Sequence, residues 1–321
     1  AYLNLQMRWN KWSVQAGLRA EQTSIKTHQQ LGDVKWDSSY LQFFPSAFVN
    51  YHLAENKTLS LSASRRIDRP NYNQLNPFLF LIDVTTYSTG RPELLPAITW
   101  KYEVGYNVKG ISMSVEYSRT SNNINTAIAR FEDVFPQIPS AENVTIQIPI
   151  NLTYSDFYGA TLAMPLRIRS WWNMLNNANF YYEKFNGSLG ATQLNTGKPV
   201  VRYQMNNTFT FKKSWSAELN GNISTSSQYG FAVFRPQWAV GVGLQKSLWN
   251  NKATVRFNFT DIFWTGLPKA VITYNNYIEK WHSKRETRVA GIQVTYRFGS
   301  NKVQQARNRR TAADEEIRRV N

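Results

Sequence analysis

The side chains of this chain that could do chemistry point to binding rather than to catalysis. The sequence contains three histidines, His28, His52 and His282, and no cysteine. The histidines are far apart and form none of the spacings of zinc or serine-hydrolase sites, such as H-x-x-x-H, H-E-x-x-H or G-x-S-x-G. Glu103 and Glu116 are expected to lie on neighbouring strands with their carboxylates in contact with water, rather than to act as catalytic acids. We therefore expect no enzyme, no metal site and no cofactor.

Aromatic side chains beside amides are concentrated in two long segments, 68–97 and 264–286. Rings with adjacent amides suit sugars, peptides or metal chelates, through stacking and hydrogen bonds. The candidate ligand-binding residues are Tyr72, Asn76, Phe78, Tyr87, Arg91, Trp264, Tyr274, Tyr277 and Trp281. The alternative is that these aromatics pack loop against loop. For 68–97, which contains several prolines, a further alternative is that its residues serve the folding of the loop and not ligand contact.

The elements that position these loops are predicted to be strands with one apolar and one polar face. Near the C-terminus, Ala290, Ile292, Val294 and Tyr296 alternate with small or polar residues, and the same period of two recurs along the chain. No run of about 18 apolar residues exists, which excludes transmembrane helices but not transmembrane strands. The thirteen predicted strands lie near 2–9, 12–27, 41–53, 57–67, 98–108, 111–128, 157–168, 172–186, 200–211, 215–228, 236–248, 253–263 and 287–298.

The connections between these strands alternate between short and long. Turns of two to four residues are expected at 10–11, 54–56, 109–110, 169–171, 212–214 and 249–252. Long loops are expected at 28–40, 68–97, 129–156, 187–199, 229–235 and 264–286. In 129–156, the stretch NVTIQIPINLTY could extend a strand. Short turns at one end and long loops at the other predict an all-β fold, a transmembrane antiparallel up-and-down β-barrel, rather than a soluble sandwich.

The two strand faces and the tryptophans favour the same architecture. The polar face is rich in Gly, Ser, Asn, Gln and Thr, as expected for a lumen, whereas a soluble sandwich carries many Lys and Glu on its wet face. An indole ring favours the membrane interface because it joins an apolar body to one N–H donor. The predicted membrane-interface girdle at the short-turn end comprises Trp9, Trp12, Trp171, Trp172, Trp215 and Trp249.

The net charge of +16 is interpreted as contact with anionic lipid and lipopolysaccharide. Nucleic-acid binding is not expected, because the basic residues form no compact stripe with interleaved aromatics. Residues 1–300 are predicted to form the barrel portion. Residues 301–321 are predicted to be a charged periplasmic tail, either solvated or folded as a short helix under the barrel.

Two sequence blocks carry a family resemblance, SASRRIDRPNYNQLNPFLF (62–80) and YSTGRPELLPAITWKYEVGY (87–106). They resemble the barrel of TonB-dependent outer-membrane receptors, in the variety that is abundant in Bacteroidota. Arg91 stands where that pattern usually has Asn. FTDIF at 259–263 and the closing VTYRFG fit as well. The matching residues of the two blocks are Arg66, Arg69, Pro70, Leu75, Asn76, Pro77, Phe78, Gly90, Pro92, Leu94 and Pro96.

The resemblance implies a barrel of 22 strands around an N-terminal plug, preceded by a segment that contacts the TonB complex. Bacterial single-chain barrels have an even number of strands. The chain also starts inside a strand, so we expect it to be the C-terminal part of a larger barrel whose upstream strands and plug are its partners.

The implied function is import across the outer membrane of a Gram-negative bacterium, with ligand captured at extracellular loops. A surface lipoprotein is a further candidate partner. The alternative is a non-transport barrel with a structural, assembly or secretion role that docks a partner protein. An outer-membrane hydrolase is the remaining rival, and it would need a Ser, His and carboxylate cluster. The ligand stays open among glycan, peptide and metal chelate.

Overall fold

A computed structural model describes residues 1–29, 34–138, 143–274 and 278–298. In chain order its elements are β1 (Tyr2–Trp9), β2 (Trp12–Gln29), β3 (Val34–Ala54), β4 (Lys57–Asp68), α1 (Tyr72–Leu75), β5 (Phe80–Asp83), β6 (Thr86–Ser88), β7 (Ala97–Val108), β8 (Ile111–Arg130), α2 (Phe131–Val134), β9 (Thr145–Arg169), β10 (Trp172–Leu189), β11 (Thr192–Phe211), a 3-10 turn (Lys212–Ser214), β12 (Trp215–Ser224), β13 (Ser227–Tyr229), β14 (Ala232–Phe234), β15 (Gln237–Leu248), β16 (Ala253–Phe259), β17 (Lys269–Thr273), β18 (Ile278–His282) and β19 (Ala290–Tyr296).

Thirteen strands follow one antiparallel path in the order β1-β2-β3-β4-β7-β8-β9-β10-β11-β12-β15-β16-β19. Each strand pairs with the next one along the path, which confirms the predicted meander. Within the described residues, β1 and β19 do not pair with each other, so the sheet has two open edges. The hairpin β5–β6 joins from the side, because β6 runs parallel to the start of β9.

The strand register aligns the apolar residues of successive strands on one face. Side chains of directly paired residues lie on the same side of a sheet, so a row can be followed from strand to strand. Many of these side chains are exposed, and Val115 is 62% exposed. One apolar row consists of Met7, Val14, Val49, Leu61, Val104, Val115, Ala160, Phe180 and Val201.

The opposite face is polar along the whole path. Its side chains are small and bond across strands. The Ser60 hydroxyl donates to the Gly105 carbonyl (3.2 Å), and the Thr161 hydroxyl donates to Asn179 Oδ1 (3.0 Å). One polar row consists of Arg8, Ser13, Asn50, Ser60, Gly105, Ser114, Thr161, Asn179, Arg202, Ser224 and Gln237.

The short turns lie at the predicted places, but two predicted long loops are wrong. Segment 28–40 is mostly strand, since β2 continues to Gln29 and β3 starts at Val34. Segment 187–199 is the end of a long hairpin that turns at Gly190, whose φ is +55°. Both segments lack the regular alternation of apolar and polar residues that predicts a strand.

Strand β9 also starts earlier than predicted, at Thr145, so the stretch NVTIQIPINLTY extends a strand instead of adding one. The other long loops contain short strands that form a second, four-stranded sheet in the order β13-β14-β17-β18. This sheet and the far ends of β8 to β11 surround a hydrophobic core, which we call the head. The head core comprises Ala127, Ala129, Phe131, Val144, Ile146, Ile148, Ile150, Leu152, Phe185, Leu194, Phe231, Ile272 and Tyr274.

No helix in the described part of the chain is long and apolar enough to cross a membrane. The predicted tail, 301–321, lies outside the described residues, as does the boundary predicted at residue 300.

Candidate functional site

The polar wall carries several ion pairs. Glu103 and Glu116 are directly paired across β7 and β8. Both accept an ion pair from Lys101, whose Nζ lies 2.9 Å from Glu103 Oε2. Arg256 forms a single ion pair with Glu218. The shared lysine suits the two glutamates to a hydrated wall, as their position in the sequence predicts.

The apolar face ends at a charged cluster on the side away from the short turns. The Arg119 guanidinium contacts Asp156 with Nε–Oδ1 and Nη2–Oδ2 distances of 2.7 and 2.6 Å, and the Tyr117 hydroxyl also donates to Asp156 (3.0 Å). Arg119 is four residues beyond Val115 on the same face. From Ile111 to Ser118 the strand rises ~23 Å along its own axis. A tilt of about 40° reduces its height to ~18 Å, which fits within the ~25 Å apolar band of outer-membrane barrels.

The six girdle tryptophans lie at the short-turn end, at the other limit of this apolar face. Trp9 stacks on Trp12 with ring centroids 6.4 Å apart, and Trp171 stacks on Trp172 at 6.1 Å. Trp249 is 69% exposed. The Trp172 indole N–H donates to Asn207 Oδ1 (2.9 Å), so this ring is held by the sheet. Contact of the girdle with lipid stays a prediction.

Segment 71–91 folds back on itself, and we call it the cap loop. Asn71 begins α1 with a capping box, in which its side chain accepts from the Gln74 N–H and its own N–H donates to Gln74 Oε1. The Gly90 N–H donates to the Asn76 carbonyl (2.8 Å), and the Arg91 N–H donates to the Gln74 carbonyl (2.7 Å). The two sequence blocks that carry the family resemblance therefore meet here, and Asn76 serves loop folding.

Gly90 permits this contact because it has no side chain. A Cβ at this position would lie 2.6 Å from the carbonyl oxygens of both Asn73 and Asn76, inside any real contact. We expect Gly90→Ala to destabilise the cap loop by about 1–3 kcal/mol, as overpacking does, and to raise hydrogen exchange in 71–96. Gly291→Ala is the control, since its Cβ meets nothing within 4 Å. Equal exchange in both variants would contradict the packing argument.

Asp261, in the FTDIF motif, organises the loop after β16. It has a φ of +43° and is 5% exposed. Its carboxylate accepts hydrogen bonds from the Thr265 N–H (2.9 Å), the Gly266 N–H (2.8 Å) and the Thr287 hydroxyl (2.6 Å). One carboxylate thus ties the start of the 264–286 segment to the residues that lead into β19.

Two of the predicted ligand residues lie in or against the head core. Tyr274 is 7% exposed and stacks on Phe231, with centroids 5.0 Å apart. Its hydroxyl accepts from the Ile128 N–H (2.8 Å). Tyr87 is half-buried against Phe131, with centroids 5.1 Å apart. These positions suit packing between loops, which was the alternative interpretation of the sequence.

Burial raises the pKa of Tyr274 to about 12, although the hydrogen bond from Ile128 acts in the opposite direction. The phenol of an unfolded chain has a pKa of about 10. The folded state therefore favours the protonated form, and its stabilising contribution is complete below about pH 10 and is lost as pH rises through about 12. The difference in 295 nm absorbance between wild type and Tyr274→Phe should titrate near pH 12. A midpoint near 10 would contradict the buried position.

The remaining candidates among the described residues are exposed or half-buried and lie in separate segments, on the cap loop, after β16 and on β18. Tyr72 and Phe78 are 55% and 53% exposed on the cap loop, where Arg91 forms an ion pair with Glu93 (2.6 Å). Trp264 lies beside Arg288, whose guanidinium carbon is 5.5 Å from the ring centroid. Trp281 lies on β18 at a separate cleft. Tyr277 lies outside the described residues. Their role in binding stays a prediction.

Comparison with known proteins identifies the architecture. Residues 1–296 match the outer membrane protein beta-barrel family. The chain belongs to this family. No protein with a curated function matches the sequence.

Solved structures with this barrel fold include an iron transporter and a siderophore receptor. The FrpB iron transporter from Neisseria meningitidis (F5-1 variant) is 14% identical, with a TM-score of 0.60 over 92% of this chain and 45% of that one. The siderophore receptor PirA from Pseudomonas aeruginosa is 13% identical, with a TM-score of 0.57 over 82% of this chain and 44% of that one. This outer-membrane β-barrel chain thus spans less than half of each structure, and the likeness shows the fold.

These findings confirm the predicted fold class, the resemblance and the location in the outer membrane of a Gram-negative bacterium. Sequence reasoning overlooked three features of this outer-membrane β-barrel chain: the Lys101 pairing, the Asp261 hydrogen bonds and a basic cleft beside Trp281. The sequence does indicate this cleft: in EKWHSK (279–284), basic residues occur at every second position, Lys280, His282 and Lys284. No sequence pattern indicates the Asp261 hydrogen bonds, because they depend on a backbone turn.

Proposed function

We propose that this chain is the barrel part of a TonB-dependent receptor that binds a ligand at its extracellular face and imports it. The observation that carries the proposal is the polar row from Arg8 to Gln237, which lines one face of an open sheet beneath a folded head. Unpaired strand edges are not tolerated in lipid. Further strands must therefore join β1 and β19, and they enclose the polar face as a lumen.

The partners of this receptor follow from the same arrangement. An upstream plug fills the lumen and connects it to the TonB complex, while the apolar face contacts lipid and the Arg119 side of the sheet reaches lipopolysaccharide. A surface lipoprotein covering the head is a further proposed partner. We propose no catalytic role, since Glu103 and Glu116 share one lysine and the histidines are dispersed.

The test can be run before the ligand is identified. Three strains are compared: the wild type, one lacking this protein and one lacking TonB. Mass spectrometry then follows the depletion of solutes from a complex medium. Import predicts at least one solute that the wild type depletes and that persists in both mutants. Depletion unaffected by loss of this protein would contradict it.

The second function, a barrel that docks a partner protein, is favoured by the size of the head, whose core is built like that of a soluble domain. It predicts unchanged solute depletion and loss of a specific protein from the outer membrane of the deletion strain. Quantitative proteomics of outer membranes from the same three strains separates the two functions.

A further inference from the structure

A cleft of about 410 Å³ lies on the β17–β18 hairpin of the head. It is separate from the cap loop and from the polar wall. Its walls include Trp281 and five basic residues, and none of the described residues that line it carries a carboxylate. The basic residues are Arg235, Lys269, Lys280, His282 and Lys284.

Strand pairing explains why these basic groups converge. Lys269 is directly opposite His282, and Val271 is opposite Lys280. Residues two apart on a strand share a face, so Lys269, Lys280 and His282 lie on one side of the hairpin. The Arg235 N–H donates to the Lys269 carbonyl (2.9 Å), which holds Arg235 at the same edge.

The opposite face of β17 packs into the head. Ala270 and Ile272 are 4% and 7% exposed, whereas Lys269 and Lys280 are exposed. The basic face is thus directed away from the core. Among the described residues, no ion pair involves Arg235, Lys269, Lys280 or Lys284. Like charges held in one cleft repel each other, and a bound anion relieves this repulsion.

We propose that this cleft binds a phosphate-bearing anion with at least two negative charges. Lysine and arginine donate charge-assisted hydrogen bonds to phosphate oxygens. Trp281 is paired with Ala270 and therefore lies on the other face of the hairpin, so it only borders the cleft and the basic side chains are expected to hold the ligand. Such phosphates belong either to a soluble ligand or to the lipid A of lipopolysaccharide. The proposal deepens the proposed function, on which it rests for the exposure of the head at the cell surface.

The test measures binding to the native full-length receptor purified in detergent, with radiolabelled pyrophosphate in equilibrium dialysis. A second arm uses nanodiscs that contain lipopolysaccharide with or without its lipid A phosphates. Lys269→Gln/Lys280→Gln removes two charges from the cleft. Lys26→Gln/Lys57→Gln is the matched control, since both lysines are exposed and lie outside the cleft.

We expect saturable pyrophosphate binding that the cleft variant weakens by about tenfold or more and the control leaves unchanged. The same loss seen only with phosphorylated lipid A supports the site and assigns the phosphate to the membrane. Equal binding by both variants in both arms, or no binding at all, overturns the proposal. Because this binding needs no TonB, its failure is distinct from a failure of import.

Discussion

Val115→Arg is expected to reduce the accumulation of the protein in the outer membrane. Val115 lies in the middle of the apolar band, on the face that ends at Arg119, and is 62% exposed. A cation at the midplane of a barrel costs ~2–4 kcal/mol. This lowers the ratio of folded to unfolded protein by roughly 30- to 700-fold. The measurement is the amount of heat-modifiable, folded protein in outer membranes.

Ser114→Arg is the matched control for this prediction. Ser114 is the adjacent residue of β8 and lies in the polar row between Gly105 and Thr161. Its side chain points to the opposite face, where an arginine stays hydrated, so accumulation should stay close to that of the wild type. Loss of both variants, or of Ser114→Arg alone, would mean that the two faces have been assigned wrongly.

Asp261→Ala should loosen the loop that connects β16 to the start of β19. The substitution removes the acceptor of the Thr265 and Gly266 N–H groups and of the Thr287 hydroxyl, all three of which are half-buried. A fully buried donor without a partner costs ~1–3 kcal/mol. Because water reaches these donors in part, we expect a local loss of about 1–3 kcal/mol in total. Hydrogen exchange should rise in 260–268 and 285–292 and stay unchanged in β8.

Asp261→Asn separates the loss of the acceptor from the loss of charge. Asparagine keeps one carbonyl oxygen and tolerates the left-handed backbone that the φ of +43° requires. Its exchange should lie between wild type and Asp261→Ala. If both variants exchange like the wild type, the carboxylate does not hold this loop.

The sequence predicts the sheet well because two independent constraints act on every strand. An apolar face and a polar face impose a period of two. The tight turns, such as Lys109-Gly110 with φ values of +49° and +85°, fix where each hairpin starts. Together they define the number of strands and the orientation of residues such as Val115 and Ser114, whose predicted faces the register confirms.

The head is less predictable than the sheet, for a physical reason. Beyond Arg119 the apolar residues of β8 and β9 pack into a core formed with distant segments. The pairing of Ile128 with Tyr274 spans 146 residues of sequence. No local pattern encodes such a contact. Tyr274 therefore looks like a loop aromatic in the sequence and is a core residue in the fold.

The cap loop is less predictable from the sequence than the sheet and more predictable than the head. The Arg-Pro and Asn-Pro-Phe blocks are recognisable in the sequence, but their mutual hydrogen bonds are not. The contact between Gly90 and Asn76 exists only because 13 residues of intervening chain fold back over α1. The sequence leaves both ligand contact and loop folding open for Asn76, and in the fold its carbonyl accepts from the Gly90 N–H and its side chain accepts from the Phe78 N–H.

Cysteine cross-linking between the two open edges tests the central claim most directly, that this sheet is one section of a larger barrel. Residues 1–321 contain no cysteine, so no thiol within this part of the protein competes with the introduced pairs. Leu5→Cys is combined in turn with Ile292→Cys, Val294→Cys and Tyr296→Cys in the native protein in outer membranes. Leu5→Cys/Ala16→Cys, whose positions are paired between β1 and β2, is the positive control.

A disulfide requires Cα atoms ~4.4–6.8 Å apart. If further strands separate β1 from β19, the control pair should cross-link on oxidation and none of the edge pairs should. Efficient cross-linking of any edge pair would show that the thirteen strands close on themselves, and it would contradict the account of a larger receptor barrel.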